Sequence, residues 1–224
     1  MNALMNDSPS TFRLILWPSV ITLAVSLARL VGEKQGWITE QSGGAMHPLG
    51  IFWLVLAFGA WFGWQHARAG ALPRVRRAWL WALVAGLAIF GTIGWRMQPM
   101  MNAERSEETF ALLRTAVLTV VVVASAGAVA MFVVWPQFAR TLLLYGLIAR
   151  ATVVAITWFV KVQDWHLHYV KFGPPGIERE SMQDTVVSAS IAQFGMWLPI
   201  TIVVGTLIGS LFARGGQSAS SQAS

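Results

Sequence analysis

Arg150 is the residue whose position most invites chemistry. It falls near the middle of a long apolar run, Phe138–Val160. A charge at bilayer depth costs several kcal/mol unless it is paired, hydrated or snorkelling. No carboxylate lies inside any of the long apolar runs of this chain. If the runs before and after Gln137 form a tight hairpin, position 150 comes opposite position 124, and Ser125 becomes a hydrogen-bond neighbour. A serine hydroxyl cannot neutralise a guanidinium. Three readings stay open: a structural arginine bonded to backbone carbonyls or Ser/Thr hydroxyls, an arginine lining a wet cavity that meets an anionic ligand or a lipid phosphate, or one half of a pair with a partner subunit. Arg114, one turn into its own run and close to Glu107 and Glu108, reads instead as a snorkelling interfacial residue.

A second constellation follows the same run. Asp164, His166 and His168 are metal-ligand types, and His47 stands at the start of an earlier run on the same expected membrane face. Three imidazoles and a carboxylate could hold a divalent metal. The i, i+2 spacing of the two histidines puts them on one side only in an extended segment. The competing reading is an interfacial Trp/His/Tyr cluster that anchors the loop. Haem would need histidines at facing depths inside the runs, and all four histidines lie at run ends. No Walker loop, GxSxG elbow, HExxH or intramembrane carboxylate pair is present. No cofactor is expected.

The elements that must position these residues follow from composition. The chain has 224 residues, 55% hydrophobic and only 12% charged, with a mean hydropathy of +0.57. A soluble domain carries about 25% charged residues, so an ordinary cytosolic enzyme, a disordered chain and a free nucleic-acid binder are excluded. The chain reads as an integral membrane protein. The net charge of +6 then fits anionic lipid head groups as partners rather than nucleic acid. The absence of cysteine excludes disulfides, thiolate nucleophiles and Cys-ligated zinc.

A hydrocarbon core of about 30 Å needs about 20 helical residues. Six runs qualify: Phe12–Val31, Pro48–Trp64, Ala78–Trp95, Thr109–Val134, Phe138–Val160 and Thr185–Phe212. Barrel strands would alternate apolar and polar residues, and Val117–Val134 does not. The first run resembles a signal-peptide core, but its n-region is long and contains Asp7, and hydrophobicity continues past Ala28, so it is expected to be retained. The expected fold is an all-α, polytopic bundle of six transmembrane helices over 12–213. A cytoplasmic tail precedes it at 1–11, and a disordered polar tail follows at 214–224.

Orientation rests on charge density. Arg68, Arg74, Arg76 and Arg77 crowd the short loop Gln65–Arg77 with no acid beside them. That loop and both termini are therefore placed in the cytoplasm of an inner-membrane protein. Most tryptophans near run ends (Trp17, Trp37, Trp64, Trp79, Trp81, Trp95, Trp135, Trp158, Trp165) read as an interfacial belt. Small residues four apart at Gly59/Gly63, Ala124/Ala128 and Gly205/Gly209 could pack the bundle internally, or hold a homodimer or a membrane-complex partner. Pro18 and Pro199 fall inside runs and predict kinks or local unwinding. Unequal loop lengths argue against a three-plus-three inverted repeat. The functional expectation is a non-catalytic structural, accessory or binding component with loops 32–47 and 161–184 as its recognition surface. The alternatives are a small transporter or lipid/anion-binding protein using Arg150, and a metal-dependent enzyme at the external face.

Overall fold

The computed structural model describes residues 11–39, 47–100, 107–172, 177–178 and 181–221. The expected tail at 2–10, the middle of loop 32–47 and the turn at 173–176 lie outside them. The chain forms an all-α helical bundle of multi-pass membrane type. Its helices are α1 (Thr11–Lys34), α2 (Phe52–Arg68), α3 (Ala78–Met97), α4 (Glu107–Val134), α5 (Pro136–Val162), α6 (Met182–Ser190) and α7 (Leu198–Ser221). A π-helical segment, Ile191–Trp197, joins α6 to α7. Strands β1 (Lys171–Phe172) and β2 (Ile177–Glu178) form a two-residue antiparallel ladder in the loop after α5.

Among the described residues, five stretches are long and apolar enough to cross a membrane: α1, α3, Ala111–Val134 of α4, α5, and Met182–Ala213 of α6–α7. The remaining expected span, Pro48–Trp64, corresponds to α2. It has 17 residues, or about 25 Å of rise, at the short edge of what can cross. Outward faces are apolar, as lipid requires. Examples are Leu16, Val20 and Leu27 on α1, and Val122, Val129 and Val133 on α4.

Local chemistry sets the helix ends. Trp135 alone separates α4 from α5. Pro136 explains this, because it disfavours helical geometry at the residue before it and suits the first turn of a new helix. Ser181 caps α6: its Oγ accepts from the Asp184 amide at 3.0 Å and donates to the Asp184 carboxylate at 2.8 Å. Pro199 has no N–H to give the Gly195 carbonyl. The turn before it is wound as a π-helix, with the Leu198 amide bonding back to the Gln193 carbonyl. Pro18, by contrast, sits inside an unbroken α1.

Helix α7 is the centre of the bundle, packed against α2, α3, α4 and α5. Its contact with α2 is backbone on backbone. A Cβ at Gly59 would meet Gly205 Cα and O at 3.1 Å, and one at Gly63 would overlap the Gly209 backbone. The order of the pairs makes α2 and α7 run parallel, as the second and sixth spans of an alternating chain must. Ala124 and Ala128 are also buried within the chain. All three small-residue pairs are buried inside the bundle.

Helix α7 continues through Ser221; extending a formed helix costs far less than starting one, and Gly215 and Gly216 do not stop it. One expectation changes: Trp135 is not interfacial but 1% exposed. It stacks on Phe138 with centroids 4.3 Å apart, and its Nε1–H donates to the Ala71 carbonyl at 2.8 Å.

Candidate anion-binding cavity

Arg150 is 4% exposed and faces α7 rather than α4. Its Nη2 donates to Thr201 Oγ1 at 2.8 Å. The Thr201 hydroxyl donates onward to the Trp197 carbonyl at 2.8 Å, which leaves its oxygen free to accept from the guanidinium. The Trp197 ring lies 5.7 Å from Arg150 Cζ, within cation–π range. Ser125, the expected neighbour, is not in the site. The π segment and α7 lie against α4, where Gly195 faces Val121 and Gly127 faces Val203. That packing replaces the simple α4–α5 hairpin on which the Ser125 pairing depended.

A cavity of about 220 Å³ opens where α1 and α5 end and α2 and the π segment begin. Arg150 lines it, with Ser26 and Arg29 of α1, Gln193 of the π segment, and His168 and Tyr169 of the loop after α5. Leu49–Phe52, Val153 and Trp197 form the apolar part of its wall. No carboxylate lines it among the described residues. Two buried polar atoms of its lining residues, Arg150 Nε and Gln193 Oε1, have no hydrogen-bond partner there. Buried polar groups are satisfied in the great majority of native structures, and exceptions call for a missing water, ion or ligand. π-Bulges concentrate at functional sites, and this one carries both Gln193 and Trp197.

The cavity's second cation is already engaged. Arg29 Nε donates to Glu33 Oε1 at 2.9 Å, an i, i+4 pair, and His168 Nδ1 lies 2.6 Å from the same carboxylate. The Glu33 side chain is 1% exposed, so this acid sits behind the wall and neutralises it locally. Tyr169 closes the upper edge. Its hydroxyl donates to the Ser26 carbonyl at 3.2 Å, and the Thr157 hydroxyl donates to the Tyr169 carbonyl at 3.3 Å. Burial pushes the Tyr169 phenol pKa up, so it stays a neutral donor. Below Arg150 the bundle is tight. Tyr145 is buried and hydrogen-bonded to Thr22 at 2.8 Å, and Gly146 packs under Leu198 and Thr201.

The four expected metal ligands do not converge. His168 is held by Glu33. His47 Nδ1 accepts from the Leu49 amide at 3.1 Å, while Asp164 and His166 are exposed. No group of three metal-ligating side chains forms among the described residues. The expectation took neighbours in sequence for neighbours in space. Asp164 adopts φ 51°, and the turn there sends the loop back over α1 instead of gathering its polar residues. Arg114 is exposed, as a snorkelling side chain would be.

Reasoning from sequence missed Glu33, Gln193, Trp197 and Thr201. The Arg29–Glu33 spacing is a readable signal, since residues four apart on a helix are neighbours. Pro199 signalled disturbance in the turn that carries Gln193. No known protein family matches the sequence, and comparison with curated proteins and with solved structures finds no match.

Proposed function

We propose that this multi-pass protein is a non-catalytic binding component of a bacterial-type inner membrane that receives a small anionic ligand at Arg150. One observation carries the reading: a buried guanidinium with an unpartnered N–H lines a 220 Å³ opening whose described wall contains no acid. An uncompensated cation in low dielectric attracts an anion far more strongly than it would in water. Binding is preferred to transport because the floor beneath Arg150, at Tyr145, Gly146 and Leu198, is close-packed. The density of arginines in 65–77 puts that loop and both termini in the cytoplasm. The cavity then faces the other side.

The chain has no cysteine, which makes the test clean. A single Val153→Cys variant, solubilised in mild detergent, is treated with a negatively and a positively charged thiol reagent of equal size. The anionic reagent is expected to react faster, and adding Arg150→Met is expected to abolish that preference. A folded Val153→Cys protein that reacts with both at the same rate, or with neither, overturns the proposal.

A further inference from the structure

We infer that the anion is a small organic monocarboxylate with an apolar, ring-sized body, and not inorganic phosphate or sulfate. This rests on the anion-binding reading and adds charge, shape and size to it.

Charge comes first. Arg29 and His168 both face the Glu33 carboxylate, at 2.9 and 2.6 Å. That leaves Arg150 as the cation in the described wall without an acid beside it, so one negative charge balances the site. A dianion would bring a second charge with no counter-ion, and buried charges are tolerated only when paired and hydrogen-bonded.

Shape is next. Two polar atoms of the lining residues are unpartnered: Arg150 Nε offers a fixed donor, and the Gln193 amide can turn either its oxygen or its nitrogen inward, since the two are distinguished only by their partners. The apolar part of the wall is made by Ile51, Phe52 and Val153 beside Trp197, while Ser26, Arg29, His168 and Tyr169 are polar lining whose charged members are engaged with Glu33. Phe52 meets the Trp197 ring edge-on at 5.9 Å, which makes an aromatic corner. Phosphate would leave that corner unused and several of its oxygens without donors. A carboxylate on a ring matches both the unpartnered guanidinium donor and the aromatic corner beside it.

Size agrees. An engineered apolar cavity of about 150 Å³ holds benzene, and a water's share of liquid volume is about 30 Å³. The volume here is about 220 Å³, enough for a six-membered ring and a carboxylate.

The experiment is equilibrium dialysis of the full-length protein in mild detergent against radiolabelled benzoate, with phosphate and the neutral isostere benzamide as competitors. Arg150→Met protein serves as the blank for micelle partitioning, and the equally neutral Arg150→Gln is used if that variant fails to fold. Benzoate is expected to bind at one site per chain, with phosphate and benzamide each at least tenfold weaker. Phe52→Ala should weaken benzoate at least tenfold, and Phe52→Leu should keep most of the binding if the alanine variant is unstable. Phosphate that competes as well as benzoate overturns the inference while leaving the anion reading standing. Benzamide that competes as well as benzoate, or no binding of either anion, overturns both.

Discussion

Two regions of this bundle share helix α7 and are built on opposite principles. Along its face toward α2, four glycines bring two backbones into contact, with Phe138 and Leu142 of α5 closing over Gly209 and Gly205. Near its N-terminal end, the π segment and α5 line an open cavity at Arg150, and two buried polar atoms go unpartnered. In lipid there is no hydrophobic force drawing helices together, so close packing and hydrogen bonds must hold the bundle. The glycine seam supplies that cohesion through dispersion contacts along a whole helix. The cavity adds only the Arg150–Thr201 hydrogen bond between α5 and α7, and its buried charge costs stability. The comparison teaches that the open end persists because the seam fixes α2 and α7 independently of it. Stability and binding should therefore separate cleanly under mutation.

The largest expected effect lies in the seam. Gly63→Ala puts a methyl group into the Gly209 backbone, which no rotamer change relieves. Overpacking costs typically about 1–3 kcal/mol, and a clash with backbone should reach or pass the upper end. Gly59→Ala, where the added carbon sits 3.1 Å from Gly205, should cost about 1 kcal/mol. Thermal melts in detergent should rank the two in that order. Equal melting temperatures would remove the seam from its place as the main support.

Arg150→Met should do the reverse. Benzoate affinity should fall by at least about 2 kcal/mol, the lower end of what deleting one buried charge partner costs. Thermal stability should hold or rise, because replacing buried ionic groups by apolar ones of similar volume is often neutral or stabilising by about 1–4 kcal/mol. A sharp loss of stability would mean that Arg150 cements α5 to α7 and that the two regions are not separable. Glu33→Gln sharpens the charge argument. It frees Arg29 and His168 from their shared carboxylate, so the dianion phosphate should gain on benzoate by about tenfold in competition dialysis, roughly 1.4 kcal/mol. An unchanged ratio would show that Glu33 does not set the charge of the site.

How much of this was legible in the sequence follows the range of each interaction. Five spans are visible because apolar run length is a local property, and α2 falls close to its expected limits for the same reason. Arg150 is visible as a lone charge in hydrocarbon. Its partner is not, since Thr201 lies 51 residues on and nothing in either run says that α7 rather than α4 packs against α5. His168 attracted notice as a ligand type, but its role depends on Glu33, 135 residues earlier. Periodicity and spacing are blind at that distance. Gly59 and Gly205 were each visible as contact-makers, while their pairing with each other required the fold.

That blindness yields a last, paired prediction. Spacing alone chose Ser125 as the neighbour of Arg150, whereas the packing chose Thr201. Thr201→Val removes a hydroxyl that accepts from a buried guanidinium and should cost about 1.5–3 kcal/mol, the usual worth of a hydrogen bond to a charged group. Anion affinity should shift as well, because the guanidinium loses the contact that holds it in place. Ser125→Ala removes a half-buried hydroxyl that does not line the cavity, so melting and benzoate binding should stay within about 0.5 kcal/mol of wild type, the range of an uninvolved position. The pair is informative because both changes delete one hydroxyl from a neighbouring helix. If Ser125→Ala proved the costlier of the two, α4 rather than α7 would be the helix that holds Arg150, and the cavity would lose the wall on which its anion depends.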